Sequence, residues 1–234
     1  MPKLKHRKQR KSVIQACLRM NSLGINQGTA GNISIRVSDG FLITPSGIPY
    51  EQMTPDQIVF MRLDGSYAGE WLPSSEWRMH LDILANRPEA NAVVHTHSIY
   101  ATAQSTLRQD VPAFHYMIAC AGGATLRCAR YATFGTAALS ANMLKALKDR
   151  RACLLANHGA IAFGDSLEKA LWLAGEVETL CQQYFAAQQM GSPAILSGAE
   201  MKRVLDRFST YGKQAGEMTG EDVNTTHAPL RRDT

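Results

Sequence analysis

The segment NAVVHTHS, residues 91–98, predicts a short apolar strand that ends in two histidines. Side chains alternate between the two faces of a strand, so His95 and His97 should project to the same side, whereas on a helix they would diverge by about 200°. Two imidazoles on one side can bind the same metal ion, but a tight site needs three or four ligands. The further ligand candidates are Glu76 and, in the tripeptide Asn157-His158-Gly159, His158.

Each of these residues also has an ordinary interpretation without chemistry. Two histidines near a strand end are often polar residues at an exposed edge. Glu76 opens a predicted helix, an exposed type of position where the helix dipole favours a carboxylate. His80 lies one turn deeper in that helix, and we expect it to pack or form hydrogen bonds rather than to bind metal.

Length and composition predict one α/β domain. With 234 residues, of which 45% are hydrophobic, the chain can bury a large core as one unit. The hydrophobic periodicity ends at about residue 216. We therefore expect a single domain over residues 1–216 and a polar C-terminal tail over residues 217–234.

The formal charge of +5 is concentrated at the N-terminus. Six lysines and arginines lie within the first eleven residues, and without them the charge becomes −1. We interpret them as a solvated arm or helix end, so the composition gives no support for nucleic-acid binding.

The cysteines and the longest apolar runs indicate a cellular compartment. Five cysteines, an odd number without a Cys-x-x-Cys spacing, predict buried thiols in a reduced cytoplasmic protein. The apolar run that begins at Val13 is interrupted by Gln15 and followed by Arg19, which favours an amphipathic helix over a signal peptide. No segment reaches eighteen uninterrupted apolar residues, so we expect no membrane span.

Hydrophobic periodicity and turn residues predict the other elements. The turn Asp39-Gly40 joins two strands, which indicates antiparallel rather than doubly wound pairing. Ser74 and Ser75 occupy the N-cap positions of a helix that Pro88 ends. Helices are predicted over residues 11–23, 77–87, 137–147, 167–190 and 198–210 and from 101 onwards, strands over 33–37, 41–43, 58–61 and 152–156, and a strand or extended segment over 112–118.

Two segments could bind an anion such as phosphate. The turn GTAGN, residues 28–32, has two glycines whose backbone N–H groups can approach an oxyanion, and Thr29 and Asn32 add side-chain donors. The helix start after Ser74 and Ser75 combines free N–H groups with two hydroxyls. The plainer interpretations are an ordinary helix-to-strand connection and a capped helix.

Together these segments resemble the class II aldolase/adducin family, over residues 23–212. Each motif is weak alone, but the combination is specific. The motifs are GTAGN (28–32), TPSGIPY (44–50), PSSEWR (73–78), HTH (95–97), HYMI (115–118), YATFG (131–135) and NHG (157–159).

This resemblance implies a three-layer α/β/α domain around a mostly antiparallel sheet, assembled as a homotetramer with active sites between subunits. His95, His97 and His158 would hold one zinc ion per chain, and Glu76 would alternate between metal ligand and catalytic base.

The resemblance also implies how a sugar phosphate binds. Tyr116 matches a tyrosine that a neighbouring subunit offers as proton donor, and Tyr211 matches a C-terminal tyrosine that folds over the site. The phosphate group would lie among Gly31, Asn32, Ser46, Gly47, Ser74 and Ser75.

The implied reaction is the retro-aldol cleavage of a ketose 1-phosphate to dihydroxyacetone phosphate and a short aldehyde. Negative charge develops as the C3–C4 bond breaks, and zinc held by neutral imidazoles can stabilise it as a Lewis acid. The phosphate and metal groups recognise only the half of the substrate that all such ketoses share. L-Fuculose 1-phosphate, 5-deoxyribulose 1-phosphate and 5-methylthioribulose 1-phosphate therefore stay open as substrates.

Other activities share the same pattern. Pentulose-phosphate 4-epimerases run a similar retro-aldol step without releasing the fragments, but they carry Asp at the position of Glu76. Methylthioribulose-phosphate dehydratases and sugar-acid phosphate decarboxylases share the metal histidines. An adducin-like binding module would have lost catalysis, and the presence of Glu76 with all three histidines argues against it.

Overall fold

The computed structural model describes residues 4–208 and is built on one seven-stranded sheet. The strand order across the sheet is β3-β2-β1-β4-β7-β6-β5, and every pair is antiparallel except β5 with β6. The strands are β1 (Asn32–Val37), β2 (Gly40–Ile43), β3 (Val59–Met61), β4 (Ala92–Thr96), β5 (Cys128–Ala129), β6 (Ala152–Leu155) and β7 (Gly159–Gly164).

Helices cover both faces of this sheet. Helices α2 and α4 pack on one face, and α1, α3 and α5 pack on the other. This is the predicted three-layer α/β/α arrangement around a mostly antiparallel sheet. The helices are α1 (Arg7–Ser22), α2 (Trp77–Asn86), α3 (Ile99–Thr106), α4 (Ala137–Ala146), α5 (Leu167–Met190) and α6 (Gly198–Phe208), with short 3₁₀ helices at Tyr50–Gln52 and Tyr116–Ala121.

Strand alternation divides the core into two layers. In β4, Val93 packs with the α2–α4 layer, whereas Val94 packs with the α1–α3–α5 layer. In β7, Ile161 and Ala162 divide in the same way. Because both faces of the central strands are buried, these strands are mostly apolar, and the polar side chains on them need a specific reason to be there.

The basic N-terminal segment forms a helix start, one of the two arrangements expected for it, but it is not fully solvated. Helix α1 begins at Arg7 rather than at residue 11. Arg10 is buried, and its guanidinium donates to the backbone carbonyl oxygens of Pro55, at 3.1 Å, and Ile58. These bonds anchor the first helix to the loop before β3, so one of the six charges has a structural role.

On the C-terminal side of β4, one predicted strand does not form and one strand was missed. Residues 112–118 do not form a strand, because Phe114 N–H turns back to the Pro112 carbonyl at 2.8 Å and the chain then enters a 3₁₀ helix. Strand β7 was not predicted, since its short run of small apolar residues follows β6 after only a tight turn. The long helix α5 matches its predicted bounds at both ends.

The described residues also bear on membranes and thiols. No helix within residues 4–208 combines the length and apolarity needed to cross a membrane. All five cysteines are free thiols, and four of them are buried.

Candidate active site

Strand β4 and one hairpin turn bring the three histidines together. His95 lies in β4 and His97 directly after it, so the two project to the same face of the sheet. Strands β6 and β7 form a hairpin whose turn contains Asn157, with φ of 52°, and His158. Because β7 pairs with β4, this turn places His158 beside the other two. Gly159 allows the approach, since a Cβ there would lie 2.3 Å from the Thr96 carbonyl oxygen.

The four predicted metal ligands form a compact cluster. The three imidazole ring centroids are 4.8, 4.8 and 4.9 Å apart, and His95 Nε2 lies 2.9 Å from His97 Nε2. Glu76 Oε2 is 3.1 Å from His95 Nε2, and Glu76 Oε1 is 2.8 Å from His158 Nε2. One donor atom from each of the four residues lies within 4.8 Å of the others.

This donor set suits a single divalent metal ion. A tetrahedral zinc ion with ligands at 2.0–2.2 Å separates its donors by about 3.4 Å, which is close to the spacing here. Glu76 and His95 are buried, whereas His97 and His158 are partly exposed, so an ion among them would be reached from one side only. The cluster could therefore hold a metal with a position open to a substrate.

Glu76 controls the electrostatics of the cluster. Burial alone would raise its pKa, but His95 and His158 outweigh burial and hold the pKa well below its usual range. Burial opposes the charged form of His95 too, yet the facing carboxylate raises the pKa of that imidazole. Burial and the two neighbouring histidines lower the pKa of His97 to about 4. Glu76 is thus ionised, and His97 is neutral as a metal ligand must be.

The start of α2 differs from the prediction. Glu76, not Ser74 or Ser75, is the N-cap residue, and its own side chain makes no capping bond. Ser74 N–H donates to the Thr44 carbonyl at 3.0 Å, and Ser74 Oγ accepts from Glu76 N–H at 3.3 Å. These bonds turn the carboxylate inward, and Glu76 is only 5% exposed. The prediction that Glu76 occupies an exposed position is therefore wrong.

A second polar layer lies behind Glu76. Asn32 Nδ2 donates to Glu76 Oε2 at 2.8 Å, and Asn32 Oδ1 is 2.6 Å from His80 Nε2. His80 Nδ1 is in turn 2.8 Å from Ser34 Oγ. His80 was expected to pack or to form hydrogen bonds, and it forms two. Asn32 was expected at the phosphate, and the structure places its side chain against the carboxylate.

A cleft of about 310 Å³ opens above the cluster. Its aromatic wall comes from Tyr131 and Phe134, which are 53% and 63% exposed. Gly135, with φ of 72°, lets their loop approach the backbone of Ser75. The cleft is lined by Ala30, Ser75, Glu76, His97, Tyr131, Ala132, Phe134, Asn157 and His158.

Most of the predicted phosphate-binding residues lie in adjoining turns. Pro45 and Pro73 form an antiparallel bridge, which places the turn with Ser46 and Gly47 beside the start of α2. Ser46 is exposed, like Ser75 in the cleft, whereas Ser74 is buried.

Gly31 sits between this region and β4. A Cβ at Gly31 would lie 2.6 Å from the His95 carbonyl oxygen, so only glycine fits here without movement.

Tyr116, one of the two predicted tyrosines, does not line this cleft. Tyr116 opens a 3₁₀ helix, is 47% exposed, and stacks on His115 with ring centroids 4.8 Å apart. Tyr211 lies outside the described residues.

One contributor to the cleft was missed by sequence reasoning. Arg108 Nε donates to Asn157 Oδ1 at 2.7 Å, and its guanidinium lies 5.6 Å from the ring centroid of Tyr131. Arg108 thereby links two residues that line the cleft. It lies far from both in the sequence and in no motif, so no local pattern could have revealed the contact.

Comparison with known proteins places this fold and site in a family. Residues 11–185 match the model of the class II aldolase and adducin N-terminal domain. The chain belongs to this family and falls on its aldolase branch, the aldehyde-lyases.

Two curated relatives and one solved structure illustrate the similarity. L-fuculose phosphate aldolase of Escherichia coli strain K12 is 51% identical over 92% of this chain and 100% of its own length. The 5-methylthioribulose-1-phosphate/5-deoxyribulose-1-phosphate aldolase of Rhodospirillum rubrum is 51% identical over 88% of this chain and 93% of its own. A solved L-fuculose 1-phosphate aldolase superposes with a TM-score of 0.83 at 39% identity, covering 86% of this chain and 95% of that one.

Proposed function

We propose that the protein catalyses the retro-aldol cleavage of a ketose 1-phosphate to dihydroxyacetone phosphate and a short aldehyde, with one zinc ion per chain. The observation that carries this proposal is the cluster of Glu76, His95, His97 and His158 at the floor of an open cleft. A carboxylate beside three imidazoles supplies both a proton-transfer group and a metal-binding group at one point. The names of the two relatives support the substrate class.

The three histidines would hold the zinc ion, which supplies a Lewis acid for the negative charge that develops as the C3–C4 bond breaks. Glu76 would move the proton at C3: in synthesis its carboxylate removes this proton from dihydroxyacetone phosphate, and in cleavage it takes up from solvent a proton equivalent to the one that the C4 hydroxyl releases and delivers it to C3. Its ionised state and its position at the edge of the cleft suit the part of a base. Asn32 would hold one carboxylate oxygen during this transfer.

The phosphate group would bind at the serine end of the cleft. We assign it to Gly31, Ser46, Gly47, Ser74 and Ser75, and leave Asn32 out of the expected set because both polar ends of its side chain already have partners in Glu76 and His80. The exposed Ser46 and Ser75 hydroxyls and the adjoining start of α2 support this assignment, because hydroxyls and a helix N-terminus both favour an anion. Anchoring the phosphate there would fix the distance from the reacting carbons to Glu76.

The aldehyde half would face the aromatic wall of Tyr131 and Phe134. Apolar walls discriminate a single methylene by only about 1–3 kcal/mol. We therefore expect L-fuculose 1-phosphate, 5-deoxyribulose 1-phosphate and 5-methylthioribulose 1-phosphate all to be cleaved, with kcat/KM values within about 200-fold of one another.

Coupled detection of dihydroxyacetone phosphate with each of the three ketoses, at equal enzyme concentration, gives this ranking. A preparation that releases no dihydroxyacetone phosphate from any of them, yet epimerises a pentulose 5-phosphate, would show that the aldolase proposal is wrong.

We also propose a homotetramer in the reducing cytoplasm, in which Tyr116 of one subunit completes the site of its neighbour and Tyr211 closes it. The exposure of Tyr116 outside its own cleft supports action in a neighbouring site, and the five free thiols support the compartment. In this arrangement Tyr116 exchanges the proton of the C4 oxygen while Glu76 handles the proton at C3.

Mixed oligomers test the shared site. Glu76→Gln and Tyr116→Phe are each expected to be nearly inactive, but after joint unfolding and refolding at equal amounts about a quarter of the sites should pair an intact Glu76 with an intact Tyr116. Recovery of about a quarter of the wild-type rate is the expected result. Light scattering should give the mass of a tetramer, and no recovery in a refolded tetramer would place Tyr116 elsewhere.

A further inference from the structure

His80 is a fully buried histidine that the proposed reaction does not use. It lies in α2, one turn after Glu76, and is 0% exposed. Both ring nitrogens have partners: Nδ1 lies 2.8 Å from Ser34 Oγ and Nε2 lies 2.6 Å from Asn32 Oδ1. Since Asn32 Nδ2 lies 2.8 Å from Glu76 Oε2, an unbroken chain of hydrogen bonds runs from Ser34 to the carboxylate.

The orientation of the Asn32 amide fixes the direction of this chain of hydrogen bonds. Asn32 Nδ2 donates to Glu76 Oε2, so the Asn32 side chain presents its NH₂ group to Glu76 and its oxygen to His80. An amide oxygen only accepts, so the His80 proton must sit on Nε2. Burial lowers the pKa of His80 to about 3, so the ring is neutral, and its bare Nδ1 accepts from the Ser34 hydroxyl.

His80 is needed because an amide has no preferred orientation of its own. The oxygen and NH₂ group of an Asn side chain exchange places by a half-turn about one bond, and only the neighbours decide between the two. In the reversed orientation Asn32 would present its oxygen to the Glu76 carboxylate, and two acceptors would face each other. The carboxylate disfavours that orientation, and His80 Nε2–H, which would face the NH₂ group, disfavours it further.

We infer that His80 is a positioning residue for the proposed proton transfer: through the Asn32 amide it holds Glu76 Oε2 at the edge of the cleft. This inference rests on the proposed function, because it assigns His80 a part in the step that Glu76 performs. It assigns a role to a histidine that contributes none of the four donor atoms of the metal cluster.

Substitutions at position 80 distinguish a role of His80 in orienting Asn32 from a role in packing alone. In His80→Gln the side-chain NH₂ group can replace the Nε2 donor, so Asn32 keeps its orientation and only the bond to Ser34 is lost. In His80→Leu the volume is retained and the donor is absent. Met79→Leu, at a residue that is equally buried on the same helix but packs in the core, is the matched control.

The first measurement isolates the proton step. Proton NMR in D₂O, without aldehyde, follows the exchange of the C3 proton of dihydroxyacetone phosphate. This exchange should be about 10- to 100-fold slower in His80→Leu, which is the usual effect of removing a residue that hydrogen-bonds to a metal-site residue from behind. It should slow less than about threefold in His80→Gln and in Met79→Leu. KM for dihydroxyacetone phosphate should change little in all three. An unchanged exchange rate in a folded His80→Leu would overturn the inference.

The second measurement does not depend on the reaction. In protein labelled with ¹⁵N-histidine, two-bond proton–nitrogen spectra distinguish the tautomers, and His80 should carry its proton on Nε2. A proton on Nδ1 would overturn the inference even in an active enzyme.

If wild-type protein exchanges no C3 proton, the proposed function fails, and the tautomer of His80 still tests the hydrogen-bond chain. If His80→Leu does not fold, Ser34→Ala is compared with His80→Gln instead. Both substitutions remove only the hydrogen bond between Ser34 and His80, so the C3 proton should exchange within about threefold of the wild-type rate in each. A loss of about 10-fold in the exchange rate in either variant would count against the inference.

Discussion

Replacing His95, His97 or His158 with alanine is expected to reduce the metal content from about one divalent ion per chain to a small fraction, and to lower kcat about a thousandfold or more. The three imidazoles and Glu76 supply the whole donor set of the cluster, and loss of one leaves too few ligands for a tight site. The Lewis acid is worth several kcal/mol of charge stabilisation, and this is what the rate would lose.

Elemental analysis of protein purified without chelators, with zinc quantified against other divalent metals, measures the first effect. His6→Asn is the matched control, because His6 has φ of 58°, which asparagine tolerates, and lies outside the cluster. Metal content that stays near one ion per chain in all three alanine variants would show that the cluster is not the metal site.

Glu76→Gln is expected to fold and to lose at least about 100-fold in kcat, the usual scale of a missing general base. Glutamine has nearly the same shape and can still accept from Asn32 Nδ2, but it cannot take a proton from C3. Because the wild-type carboxylate is ionised and faces His95 and His158, some stability should be lost as well. Coupled assays and thermal unfolding on the same preparation measure the two effects separately.

Glu178→Gln provides the contrasting control. The Glu178 carboxylate accepts from the backbone N–H groups of Tyr100 and Ala101, at 2.9 and 2.8 Å, and so caps α3. This substitution should lower the unfolding temperature and leave kcat nearly unchanged. Near-normal turnover in Glu76→Gln would move the catalytic base to another residue.

The metal ligands were accessible to sequence reasoning because their spacing has a geometric consequence. A His-x-His pair at the end of an apolar strand must project to one side, and the structure places His95 and His97 so. The position of His158 relative to that pair depended on β7, which the sequence did not reveal. A short strand of small apolar residues after a tight turn has no periodicity that distinguishes it from a loop.

The surroundings of Glu76 were not accessible in the same way. At the sequence level Glu76 is an ordinary carboxylate at a helix start, and the serines before it are ordinary caps. Its burial depends on the bridge between Pro45 and Pro73 and on the hydrogen bond from Ser74 to Thr44, both of which join distant segments. The same holds for Asn32, whose partner Glu76 lies 44 residues away at the N-cap of α2.

The sequence by itself determined which residue types can do the chemistry and which local elements present them: an apolar strand with two histidines, a helix start with a carboxylate, and several glycine turns. Local rules reach that far because strand alternation and helix capping depend only on neighbouring residues. Tertiary structure alone decided that Asn32 supports Glu76, that His80 orients Asn32, and that Arg108 links the walls of the cleft. Each of these contacts joins elements that are distant in the sequence. Buried polar groups must form hydrogen bonds, but their partners become available only after packing has brought these elements together.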